Sequence, residues 1–198
     1  MISLLPPAAG FRFCTRHSLR EARILLHMVI WITGLSGAGK TSIGRAVLDL
    51  WRQHNPAVVL VDGDEVRELL GQEQQQNYTA AGRRVVAERI VALCKWLDGQ
   101  EIDAVCCTIS SFPDLLRANR LAFRDYFEVF VNVPMEIAAA RSVSDLYGRA
   151  RRGEVTNVVG VDIPYIPPEA PDMTIDNRAG TVDFADIARS ILRQATVL

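Results

Sequence analysis

An α/β fold built on a parallel sheet of about five strands is what this sequence predicts, and two observations carry the prediction. From Val29 onward short β-branched runs alternate with longer stretches of helical period. That alternation is the pattern of strands joined by crossover helices, with helices on both faces of the sheet and ligands at the carboxyl ends of its strands. The first strand-to-helix junction also carries Gly34, Gly39, Lys40 and Thr41 in the spacing G-x-x-x-x-G-K-[ST], the phosphate-binding loop that this architecture places between a strand and a helix.

Taken in order, residues 1–28 stand apart: Pro6 and Pro7 are followed by Arg12, Arg16 and Arg20, with no acid before Glu21. Such a leader reads as a transit peptide, as disorder or as translation from an upstream start. The last two are the readings adopted, because Met28 stands immediately before the first strand. Residues 29–198 are then a single domain, a length sufficient for one buried core.

The strand Val29–Thr33 runs into Gly34, Leu35, Ser36, Gly37, Ala38, Gly39, Lys40, Thr41 and Ser42. The glycines let the backbone curl so that successive N–H groups face phosphate oxygens, and the helix expected over Thr41–His54 adds its positive N-terminal end. Lys40 is positioned to reach the β- and γ-phosphates and Thr41 to ligate Mg²⁺.

The second strand, Val58–Val61, ends in Val-Asp-Gly-Asp-Glu-Val-Arg, residues 61–67. Of the two carboxylates Asp62 and Asp64, one can hold the hydration shell of Mg²⁺ and the other can accept a proton from an attacking hydroxyl. Arg67, one helical turn beyond Asp64, suits an acceptor phosphate. The plainer alternative is a turn with an aspartate helix cap. Gln72–Gln76 is a polar loop, Ala80–Leu97 a helix, Ile102–Ile109, Phe127–Val133 and Met173–Ile175 are strands, and Val182–Gln194 is the last helix.

Composition narrows the classes. Apolar residues are 49% and charged residues 23% of the chain, and the net charge is −1, so nothing global draws the protein to nucleic acid or a membrane surface. Cys14, Cys94, Cys106 and Cys107 form no C-x-x-C pair. They read as reduced thiols of a cytoplasmic protein. A guanine-specifying Asn-Lys-x-Asp is absent, which removes a GTPase switch from the leading readings.

GLSGAGKT, VDGDEVR, Thr108-Ile109-Ser110, FEVFV at 127–131, LYGRARRGEV at 146–155 and GVDIPY at 160–165 occur in this order. Together they resemble the adenylylsulfate (APS) kinase family, from about Val29 to Asn177. The resemblance implies a P-loop kinase fold with a mobile lid, ATP and Mg²⁺ as cofactors, and transfer of the γ-phosphate to the ribose 3′-hydroxyl of a nucleotide. APS is the default acceptor and a homodimer the expected assembly. Carried over by position, Asp64 is the base and Asp62 its metal-side partner. Arg67, Arg83, Ile109 and Ser110 fall at the acceptor. Ser110 is read as a hydrogen-bonding group near the phosphates, since direct in-line transfer needs no covalent step. Arg141, Arg149, Arg151 and Arg152 surround the lid, with Arg141 assigned to ATP and Arg149 to substrate, and only one or two of them are expected to touch ligand.

The departures from the family pattern fall in the acceptor half. Its Asp-Arg-x-x-Asn reads Gly82, Arg83, Arg84, Val85, Val86; its Leu-Gly-Phe-Ser becomes QQQNYT; its Phe-Thr-Gly becomes Val158, Val159, Gly160. The two phenylalanines that stack on the acceptor adenine are missing, a sandwich worth about 1 kcal/mol or more per ring. Tyr78 stands where one ring is lost. These differences, with Ser-Phe-Pro at 111–113, resemble a divergent branch that includes cytidine diphosphoramidate kinases. A different nucleotide acceptor is therefore the alternative to APS, and an inactive nucleotide-binding module is the alternative to an enzyme.

Overall fold

In a computed structural model the described residues are 27–72, 75–142, 144–178 and 183–198. The expectations for the leader up to residue 26, and for the middle of the glutamine-rich segment, lie outside them. Five strands form one wholly parallel sheet: β1 (Met28–Thr33), β2 (Val58–Asp62), β3 (Asp103–Thr108), β4 (Asp125–Asn132) and β5 (Met173–Asp176), in the order β2-β3-β1-β4-β5. The helices are α1 (Lys40–Trp51), α2 (Gly63–Leu69), α3 (Ala80–Gly99), α4 (Pro113–Ala122), α5 (Met135–Ala140), α6 (Leu146–Arg151) and α7 (Phe184–Gln194), with a 3-10 turn at Gln75–Tyr78.

All six residues of β1 are buried because helices cover both faces of the sheet. Strand side chains alternate, so Met28, Ile30 and Ile32 join α1 and α7 in one core, while Val29 and Trp31 join α3 and α4 in the other. A strand buried on both sides reads as a continuous apolar run, as this one does. Cys106 and Cys107 act as small hydrophobes on opposite faces. On α1 the residues Ile43, Gly44, Val47, Leu48 and Trp51 are the buried stripe. Gly44 is small for a reason: a Cβ there would stand 2.3 Å from Cys107 Sγ.

The expected strands and long helices are present, their ends shifted by at most three residues, and Val182, the expected start of the last helix, lies outside the described residues. The short helices α2, α4, α5 and α6 were not readable as periodic stretches, since 6 to 10 residues give too few turns for an apolar stripe. Among the described residues no helix is long and apolar enough to cross a membrane. With β1 paired to β3 on one side and β4 on the other, the loop after β1 opens at the point where strand order reverses, which is where open α/β sheets bind ligands.

Candidate active site

A cavity of about 710 Å³ opens at the carboxyl ends of the strands. The loop between β1 and α1 forms its floor. Gly37 (φ 79°) and Gly39 (φ 99°) are left-handed, and a Cβ on Gly37 would stand 2.3 Å from the Ala138 carbonyl. These two positions therefore require glycine.

Three carbonyls of the loop are tied down by side chains. Lys40 Nζ donates to Leu35 O at 2.8 Å, Tyr147 Oη to Ser36 O at 3.0 Å and Asn177 Nδ2 to Ala38 O at 2.8 Å. Holding carbonyls this way keeps the loop in the curled form whose N–H groups serve an anion. Tyr147 and Asn177 were not found as loop braces by sequence reasoning; they lie 111 and 139 residues from their partners, and nothing local marks them.

Asp62 caps α2, accepting the Asp64 N–H on Oδ1 at 2.9 Å. Its Oδ2 accepts the Thr41 hydroxyl at 2.7 Å. The plain cap is thus realised by one oxygen, while the other bonds the threonine of the loop. Asp62 is 6% exposed, whereas Asp64 presents an exposed carboxylate to the cavity. Burial pushes the Lys40 ammonium below its ordinary value of 10.5, against the opposing pull of Asp64 and Asp62. Burial, then the negative charge of Asp62, pushes the Cys107 thiol up to about 12, so it stays a neutral wall residue.

The far wall is built by α2, the 3-10 turn and α3. Arg67 is 7% exposed and donates to the carbonyls of Asn77 (3.1 Å) and Gln72 (3.4 Å). Arg83 donates to Tyr78 O at 2.9 Å and to Asn157 O at 2.7 Å. Both guanidinium groups lie over the Tyr78 ring, at 4.5 and 5.3 Å from its centroid. Burial and then the Arg67 charge hold Arg83 below the usual arginine value. Gly82 is what lets the turn sit so close, since a Cβ there would meet the Asn77 backbone at 2.7 Å.

Of the residues singled out in the sequence, Ser36, Gly37, Gly39, Lys40, Thr41, Ser42, Asp62, Asp64, Arg67, Arg83, Ile109 and Arg141 line this cavity. Leu35 and Ala38 are buried beneath it. Gly34 sits at the loop's start against Val131. Two expected residues are elsewhere. Ser110 is 8% exposed, its hydroxyl accepting the Trp31 indole N–H at 2.8 Å and its N–H donating to Thr33 Oγ1 at 3.2 Å. It lies two residues beyond the end of β3, on the α3–α4 side of the sheet beside Trp31. Arg149 is exposed and paired with Glu154 at 3.6 Å, and Arg152 pairs with Glu154 and Asp145. Local acids claim these arginines, leaving Arg141 as the lid-region arginine in the cavity wall, held by the carbonyls of Asn177 and Arg178.

A curled Lys-Thr loop at a strand-order switch, with an aspartate bonded to its threonine, is the site of a P-loop kinase. The chain belongs to the adenylylsulphate kinase family, whose family model matches residues 26–176. It is 36% identical over 149 residues to the cytidine diphosphoramidate kinase of Campylobacter jejuni, covering 75% of this chain and 85% of that one. It is also 36% identical over 168 residues to the adenylyl-sulfate kinase of Lactiplantibacillus plantarum, covering 80% and 78%. Among solved structures it resembles the Mycobacterium tuberculosis APS kinase CysC in complex with AMPPNP and APS, with TM-score 0.77 and 26% identity over 86% of this chain and 98% of that one. The protein is accordingly a phosphotransferase acting with a nucleoside triphosphate.

Proposed function

We propose that this enzyme transfers the γ-phosphate of ATP to the ribose 3′-hydroxyl of a nucleotide. The observation that carries the reading is the meeting of Lys40, Thr41, Asp62 and Asp64 at one end of the cavity with Arg67 and Arg83 at the other. Lys40 and the loop N–H groups hold the β- and γ-phosphates and neutralise charge as the phosphoryl group moves. The oxygen donors Thr41 Oγ1 and Asp62 Oδ2, 2.7 Å apart, fit a hard cation that keeps several waters, and Mg²⁺ bound there would supply further charge neutralisation. Asp64 accepts the proton of the attacking hydroxyl. The new O–P bond forms as the bond between the γ-phosphorus and the bridging oxygen breaks, its electrons leaving with ADP.

For the acceptor, the specific observation is that the described residues offer no available base sandwich. Val158 is buried and does not line the cavity, and the Tyr78 ring already carries two guanidinium groups. This supports a small-base acceptor such as cytidine diphosphoramidate over APS, the family's usual substrate. Incubation with Mg-ATP and each compound separates them. A 3′-phosphorylated cytidine product without one from APS is expected; preferential turnover of APS reverses the assignment, and no transfer to either nucleotide removes this reading of the acceptor.

A further inference from the structure

We propose that Tyr78 is a positioning residue that holds Arg67 and Arg83 as a two-pronged clamp for the acceptor's phosphate groups, and is not a platform for its base. The proposal rests on reading this end of the cavity as the acceptor site and concerns how that site binds.

Two cations facing one cavity repel each other, and among the described residues neither Arg67 nor Arg83 is ion-paired with a carboxylate. What touches them is neutral: the carbonyls of Gln72, Asn77, Tyr78 and Asn157, and the π-system of Tyr78 beneath both guanidinium groups, while Asp64 and Asp162 attract Arg83 without a direct ion pair. A ring quadrupole attracts cations without neutralising them. The pair is therefore fixed in place while its charge stays available for an incoming dianion, which is the chemistry of a diphosphate.

Two further features serve the same arrangement. Gly82 allows the turn bearing Tyr78 to approach α3 more closely than any side chain would permit. Asn157 is left-handed (φ 64°) with its N–H and that of Val158 bound by the Asp162 carboxylate, so that its carbonyl meets Arg83. The absence of an acid at position 82 and of an aromatic at 158 thus belongs to one rearrangement, in which a ring that would grip a base instead grips two arginines.

The test uses an anion with no base. Pyrophosphate is titrated calorimetrically into the full chain saturated with Mg-AMPPNP, so that the P-loop is filled and no turnover is needed. Tyr78→Met is expected to weaken pyrophosphate binding about tenfold, while Tyr78→Phe, which keeps the ring, stays within about twofold of the unaltered protein. Gly82→Ala, which displaces the turn without touching the ring, is expected to weaken it as well, and AMPPNP affinity of each variant reports that the fold is intact. Should Tyr78→Met lose AMPPNP binding too, Gly82→Ala decides alone. Unchanged pyrophosphate affinity in these variants overturns the proposal, as does failure of pyrophosphate to bind the unaltered AMPPNP complex. Because no acceptor nucleotide is involved, the outcome is independent of which nucleotide is phosphorylated.

Discussion

Asp62 and Asp64 stand two residues apart on either side of Gly63, and their surroundings divide the labour between them. The two oxygens of Asp62 are committed to Thr41 Oγ1 and to the Asp64 N–H, so it organises the loop and the helix start. Asp64 is the second residue of α2 and leaves its carboxylate toward the cavity. Steady-state kinetics on the preferred acceptor therefore check a specific pair of outcomes. Asp64→Asn lowers kcat by about 10²–10⁴ while the KM for ATP changes little. Lys40→Ala, which removes a preorganised positive charge from the phosphates, lowers kcat by about 10²–10³ and raises the KM for ATP. Turnover near that of the unaltered enzyme in Asp64→Asn would remove Asp64 from the chemistry. At this scale the sequence was informative about the donor loop, where every group lies within a short contiguous stretch. It said less about Ser110 and Arg149, whose surroundings are decided by Trp31 of β1 and by Glu154.

At the scale of elements, α1 connects the loop to the core. It packs on the sheet with Gly44 facing Cys107, and Leu60 is the next neighbour a Cβ would meet, at 3.2 Å. Both helix and strand are regular there, so neither backbone gives way easily. Gly44→Ala is expected to cost about 1–3 kcal/mol in urea unfolding through overpacking, and Cys107→Ala in the same chain to restore much of the loss. Gly99→Ala at the end of α3, where a Cβ meets nothing within 4 Å, is expected to be neutral or to stabilise by up to about 1 kcal/mol. Equal effects at the two glycines would mean that packing against Cys107 is not what restricts position 44. The strands and long helices were legible because their apolar periods are long enough to read. The four short helices were not, since caps and packing define them: α2 begins at the Asp62 cap, and α6 is held by Tyr147, which is wholly buried with its hydroxyl on the loop.

For the molecule as a whole, the cavity joins parts that are far apart in the chain: the loop after β1, the wall made by α2 and α3, the end of β3, Arg141 and Asn177. A ligand seated there bridges these parts only in the folded state and stabilises it by mass action. At about 100 times its Kd, Mg-AMPPNP contributes about 2.7 kcal/mol, which raises Tm by about 5–10 °C for a protein of this length. Calorimetric melting checks this, and Lys40→Ala is expected to lose most of the shift; a full shift in that variant would mean that AMPPNP stabilises the protein from somewhere other than the loop.

By itself the sequence determined the α/β class and the donor chemistry, because strand alternation, loop glycines, Lys40 and Thr41 act through neighbours a few residues away. Only the tertiary structure decided the strand order, the bracing of the loop by Tyr147 and Asn177, which arginines face the cavity, and the seating of Tyr78 beneath two of them. Each of those depends on contacts between segments distant in sequence, and on the direction in which a side chain leaves its strand or helix, which the order of residues specifies only once the chain has packed.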